Sequence, residues 1–208
     1  MSHGVHAVQH EVEHEIKHGD GHGGHTNLFD NINKKVALLI GVMALFLALS
    51  ETLGKGAQTS MLSYNIEASN LWAFFQAKNI RRTVVLTAAE EMAVNAPAAP
   101  EASKAAATKQ IEAWQKTAAR YRSEPEVREG TVELAERAKE MEKLRDTALA
   151  KYHHYEVASA AFQIGIVLAS ATVITGMLVL TWLALGLAGL GLLFTTIGLL
   201  APHAVHLF

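Results

Sequence analysis

The run VASAAFQIGIVLASATVITGMLVLTWLALGLAGLGLLFTTIGLLA, residues 157–201, contains no charged side chain. As helix it would be about 65 Å long, enough to cross a hydrocarbon core of about 30 Å twice. It therefore reads as two closing spans, 157–177 and 180–201, with a short turn between Gly176 and Trp182, where an indole suits a membrane interface. A third apolar block, Val36–Leu53, follows Lys34-Lys35 and reads as a span over 36–54. About a hundred helix-forming residues, 55–156, separate it from the closing pair.

Working outward, two seams organise that insert. Ala57, Met61, Tyr64, Ala68, Leu71, Phe75, Lys78, Arg82, Val85, Ala89 and Met92 recur in steps of three and four, as do Val127, Thr131, Leu134, Ala138, Met141, Arg145, Ala148, Tyr152 and Tyr155. That spacing places each set on one helix face. Pro97 and Pro100 mark a bend near 95–101, because a proline ring blocks helical continuation. A shorter helix carries Ile111, Trp114, Ala118 and Tyr121. Ser123-Glu124-Pro125-Glu126 then matches a capping box, predicting a new helix from Glu124 that runs into the membrane without a break. The expected fold is all-α: three transmembrane helices with a long extramembrane antiparallel helical stalk between the first and second. The charges of Lys78, Arg82 and Arg145 are expected to reach solvent or carboxylates such as Glu67 and Glu142.

Each span also carries small residues at near-heptad spacing. They are Ala37, Gly41, Ala44 and Ala48 in the first; Ala161, Gly165, Ala169, Thr172 and Gly176 in the second; Ala184, Ala188, Gly191, Thr195 and Gly198 in the third. Such stripes allow helices to approach closely in lipid and are expected to be packing faces.

Composition excludes several classes. A formal net charge of −2 with scattered Lys and Arg offers no basic face for nucleic acid, and the absence of cysteine removes disulfides and thiol chemistry. No nucleophile motif, phosphate loop or cofactor fingerprint is present, so no catalytic or cofactor-binding residue is assigned and no small-molecule substrate is identified. Lys34-Lys35, the apolar run and Ala48-Leu49-Ser50 imitate a secretory signal, but the preceding polar leader of 35 residues is long for one, and the block is read as a retained span.

The segment Ser69-Asn70-Leu71-Trp72-Ala73-Phe74-Phe75-Gln76-Ala77-Lys78-Asn79-Ile80-Arg81, with Tyr155-Glu156-Val157 and Gln163 leading into the closing spans, resembles a family of uncharacterised bacterial membrane proteins known as a domain of unknown function. Asn70, Trp72, Gln76, Ala77 and Lys78 carry the resemblance, which covers about Asn27 to Leu200. It implies three spans, a bacterial inner-membrane location and no particular activity. Members tend to carry basic residues between the closing spans, where this chain has Thr181-Trp182.

The expected role is a non-enzymatic scaffold or accessory subunit, embedded in the lipid bilayer as a homo-oligomer or part of a larger membrane protein complex. The alternatives are a small channel or transporter component, for which Glu51 near the end of the first span would be the relay group, or a membrane-anchored metal-binding protein. Lys34-Lys35 place the leader in the cytoplasm and the stalk in the periplasm, while Arg137, Lys139, Lys143, Arg145 and Lys151 argue the reverse; the former is adopted because long inserts obey the rule poorly.

Residues 1–35 form a His-rich leader. His6, His10, His14 and His18 recur every four residues, spacing that lets imidazoles on one helical face share an ion, with Val8, Val12 and Ile16 on the other side. No cofactor is expected elsewhere; His10, His14 and His18 are the candidate ligands for zinc or nickel. His153-His154 is a weaker metal candidate. Calorimetric titration of a peptide spanning Met1–Thr26 with zinc should show binding tighter than millimolar that weakens below about pH 6.5, where protons compete for the nitrogens. His14→Ala should abolish it; unchanged affinity would make the leader a solvated tail.

Overall fold

A computed structural model describes residues 23–205, with side chains from Ile32 onward. Four α-helices and no strands occur among the described residues. α1 spans Gly23–Asn95, α2 Glu101–Arg122, α3 Thr131–Thr175 and α4 Leu178–Leu200. A 3-10 turn, Ala96–Ala98, carries Pro97 between α1 and α2. α1, α3 and α4 are long and apolar enough to cross a membrane. The described residues divide into two compact units, one built from 23–52 and 155–196, the other from 53–154 and 197–205.

In the first unit, Val36 packs with Ala169 and Ala184, and Met43 with Ala158 and Phe162. α1 therefore runs antiparallel to α3. The small-residue stripes explain the closeness of the contacts: a Cβ at Gly165 would collide with the Met43 methyl, and one at Gly191 would stand 2.7 Å from the Phe162 ring. The Phe162 ring also stacks on Phe46, centroids 6.0 Å apart. Ala161, Gly165, Ala169 and Thr172 of α3 and Ala184, Gly191, Thr195 and Gly198 of α4 are buried, whereas Ala37, Gly41, Ala44 and Ala48 of α1 are all exposed. The first-span stripe is thus not the packing face of this unit. α1 instead offers Val36, Met43 and Phe46, whose bulk fills the grooves that small residues leave on its neighbours, and the buried Ser50.

Hydroxyls fasten the same unit. Thr195 Oγ1 donates to the Gly191 carbonyl at 2.8 Å, so the 3.0 Å contact with Ser50 is donated by the serine. Thr181 Oγ1 donates to Thr172 Oγ1, which donates to the Leu168 carbonyl. These link α4 to α1 and to α3; hydrogen bonds between membrane helices are worth about 0.6–2 kcal/mol. The turn before α4 is Gly176-Met177, tighter than the 176–182 window, and Gly176 adopts φ +71°, a conformation open to glycine without strain. Trp182 lies inside α4 and is 75% exposed.

In the second unit, Leu71 of α1 packs against Leu134 and Ala138 of α3, with Trp72, Phe75 and Met141 around them. Every α1 seam position from Ala57 to Met92 is buried or half-buried, as is every α3 seam position from Thr131 to Tyr155. Val127 is exposed because the helix predicted from Glu124 begins only at Thr131. The Ser123 hydroxyl does find a carboxylate, but it is Glu133, ten residues on, at 2.6 Å. The local capping-box pattern yields to this longer-range tie, which closes 123–130 into a loop.

Leu134 is fully buried at the centre of the second unit. Leu134→Ala should destabilise it by about 3 kcal/mol, since truncation removes apolar contact and leaves a cavity. The exposed Val132→Ala should change stability by less than about 0.5 kcal/mol. Thermal melts in mild detergent, followed by circular dichroism, check the pair.

Candidate functional site: the Trp72–Lys78 clamp

Trp72 and Lys78 lie six residues, about one and two-thirds helical turns, apart on α1, and each reaches a carboxylate beyond its own helix. Trp72 Nε1–H donates to Glu142 Oε1 at 2.9 Å, and its ring meets Phe75 edge to face with centroids 5.4 Å apart. Lys78 Nζ lies 3.3 Å from Glu124 Oε2 and 3.5 Å from Glu129 Oε2. It also stands 5.4 Å from the Phe74 ring centroid and 5.9 Å from that of Tyr121. The ammonium is thereby enclosed by two carboxylates from the 123–130 loop and two π-faces, from α1 and α2. Lys78 is 6% exposed. A desolvated lysine is tolerated where opposite charge and aromatic faces replace water.

The expectation that the Lys78 charge meets Glu67 or Glu142 is corrected here, because Trp72 occupies Glu142 and the loop supplies the partners of Lys78. Arg145 instead reaches Asp146 at 2.9 Å and Asn65 at 3.5 Å. Contacts 65–145 and 72–142 make α1 and α3 antiparallel in this unit.

The loop is itself tightly made. Thr131 Oγ1 donates to the Arg122 carbonyl, the Glu124 N–H donates to Glu133 Oε2, and the Leu134 N–H donates to the Gly130 carbonyl. A Cβ at Gly130 would fall 2.6 Å from both Glu124 N and Ser123 Cα, so no side chain fits without moving backbone. Arg128 takes the left-handed region at φ 55°. The Ser123 hydroxyl, chiefly, together with backbone N–H groups of Glu133 and Glu124, holds the Glu133 carboxyl below its usual range against the opposing effect of burial.

The remaining sequence candidates fall elsewhere. In the first unit, Gln163 Nε2–H donates to Glu51 Oε1 at 3.3 Å. In the second, His154 Nε2 lies 2.9 Å from the Pro202 carbonyl, and His203 Nε2 donates to Thr147 Oγ1, whose own proton goes to the Lys143 carbonyl. The His153 ring sits beside Tyr152. Among the described residues no group of three His, Asp or Glu side chains is placed to hold a metal. His10, His14 and His18 lie outside the described residues. Asn70, Gln76 and Ala77 are exposed. Nothing in the sequence pairs Glu124 or Glu129 with Lys78; a lysine on an apolar seam signals that some anion must reach it, without saying which.

The described chain is thus an all-helical protein with three helices fit to span a membrane, whose most elaborate polar cluster joins helices to one another. The family described as "Domain of unknown function (DUF4337)" matches residues 32–201, and the chain belongs to it. No curated protein and no solved structure matches the chain.

Two outcomes test the clamp. Lys78→Met should cost less than about 1 kcal/mol, because Glu124 and Glu129 can turn to water, whereas Glu124→Gln with Glu129→Gln should cost about 3 kcal/mol by leaving a buried ammonium without counter-charge. The lowered pKa of Glu133 means its contribution is complete above its unfolded value and is lost as pH falls through the folded value. Glu133→Gln should therefore flatten the fall in melting temperature on acidification below about pH 4.5; an unchanged acid profile would contradict the assignment.

Proposed function

We propose that the protein is a non-enzymatic, multi-pass scaffold or accessory subunit of the bacterial inner membrane, with α1, the C-terminal part of α3 and α4 crossing the bilayer. The observation that carries this reading is the use of the strongest polar groups: Ser50 with Thr195 and Trp72 with Glu142 pair across helices, and Lys78 pairs with Glu124 and Glu129 of the loop. Side chains committed to one another stabilise architecture and are not poised for chemistry. Leu38, Leu45, Val167, Leu193 and Leu200 are exposed on helices fit to span a membrane, which matches a lipid-facing surface. The second unit then forms an antiparallel stalk outside the bilayer, in the periplasm, with the leader in the cytoplasm. Its partners are further copies of the chain or other membrane proteins.

A channel or transporter component is the second reading. The layer formed by Ser50, Thr195, Glu51 and Gln163 favours it, since polar groups within membrane helices mark ion paths. Under the scaffold reading, Glu51→Ala should alter helix association and leave liposomes impermeable to ions.

Alkaline carbonate should leave the chain in the membrane pellet, and native mass measurement in mild detergent should find an oligomer or a defined complex. Release into the supernatant would refute the membrane assignment, and a lone monomer would refute the scaffold. Protease added to intact spheroplasts should cut between Gln58 and Tyr152; protection of that region would invert the orientation.

A further inference from the structure

α1 carries a second seam, opposite the one that meets α3. Thr59, Leu62, Ile66, Ser69, Ala73, Ala77, Ile80, Val84 and Thr87 recur in steps of three and four, and all nine are exposed. Leu62, Ile66, Ile80 and Val84 are 52%, 60%, 64% and 62% exposed, a large share for aliphatic side chains in a segment read as lying outside lipid. Within the set, Thr59, Ile66, Ala73, Ile80 and Thr87 repeat every seventh residue. The charged residues between Lys55 and Arg81 are Glu67 and Lys78, and neither falls on the seam.

The same spacing continues upstream without interruption through Lys55 and Thr52 to Ala48, Ala44, Gly41 and Ala37, again all exposed. A Cβ added at Gly41 would meet nothing within 4 Å. The first-span stripe left uncovered by the protein's own bundle and the apolar seam of the second unit are therefore one series of positions on one helix. Small residues in the lipid-crossing part permit close backbone approach, and a repeat averaging 3.5 residues keeps two supercoiling helices in contact beyond it.

We propose that this series is the interface with a second copy of the chain, the two α1 helices lying parallel and in register. The proposal rests on the membrane reading above, because two copies anchored in one bilayer in the same orientation present α1 in the same direction. Each seam position then faces its own counterpart. Ile66 and Ile80, two of the five every-seventh positions, are the residue type that favours parallel two-stranded packing, and Ala73 between them allows the helices to come together. From Thr59 to Thr87 the seam carries no charge for a charged partner to read or to repel an identical copy, and Lys55, the one charge in the series, has a stem long enough for its ammonium to reach water beside the interface.

The natural absence of cysteine makes the test direct. Single-cysteine full-length chains, Ile66→Cys, Ala73→Cys and Ile80→Cys, are oxidised in membranes beside Asn79→Cys, an exposed neighbour on another face. A disulfide requires Cα atoms within about 7 Å. The seam cysteines should convert the chain to covalent dimer and Asn79→Cys should leave it monomeric, while Ile80→Asp should lose the dimer seen by native mass in the unmodified protein. Equal cross-linking at Asn79, or an undiminished dimer in Ile80→Asp, overturns the seam while self-association stands. A wild-type monomer, or a different protein bound in place of the second copy, overturns both the seam and self-association. If Ile80→Asp fails to fold, the cross-linking contrast decides alone.

Discussion

Bulky side chains seated against glycine hold the first unit together, and much else depends on that fit. Within a bilayer the hydrophobic effect no longer drives helices together, so association rests on contact quality and a few hydrogen bonds. Met43 against Gly165 and Phe162 against Gly191 provide such contact where a single added carbon would collide. The Ser50–Thr195 and Thr172–Thr181 hydroxyl pairs add direction. This arrangement fixes which face of α1 turns inward and so leaves Ala37, Gly41, Ala44 and Ala48 on the outside.

The second unit uses different physics. Its core around Leu71, Leu134 and Ala138 is hydrophobic, but the α1 seam also carries a lysine. An ammonium there would be costly without company, and the 123–130 loop supplies it through Glu124 and Glu129. Glu133 then binds the loop's own ends through Ser123 and the Glu124 backbone. Lys78 and Glu133 together make the α2–α3 connection part of the packing.

Apolar block length and residue spacing make the spans and both inner seams readable in the sequence, because each helix repeats its environment every 3.6 residues. The order 57, 61, 64, 68, 71 was enough to name a buried face. What the pattern could not convey was choice between faces. Small residues in the first span suggested packing, yet shape favoured Val36, Met43 and Phe46, which fill grooves that Gly165, Ala169 and Gly191 leave on the partners. Local rules failed again at Ser123, where a good capping pattern lost to Glu133. The partners of Lys78 were illegible for the same reason: a contact between residue 78 and residues 124 and 129 depends on tertiary closure that neither segment announces.

If lipid surrounds one unit and water the other, spin labels at single introduced cysteines measure the difference directly. Labels at Leu38, Leu45, Val167 and Leu193 should be relaxed by oxygen, which concentrates in hydrocarbon, and shielded from a water-soluble nickel chelate. Labels at Lys116, Glu136 and Val94, exposed in the second unit, should show the reverse. Strong nickel access at Leu45 and Val167 would contradict the membrane assignment and with it the reading of the protein as a three-span scaffold.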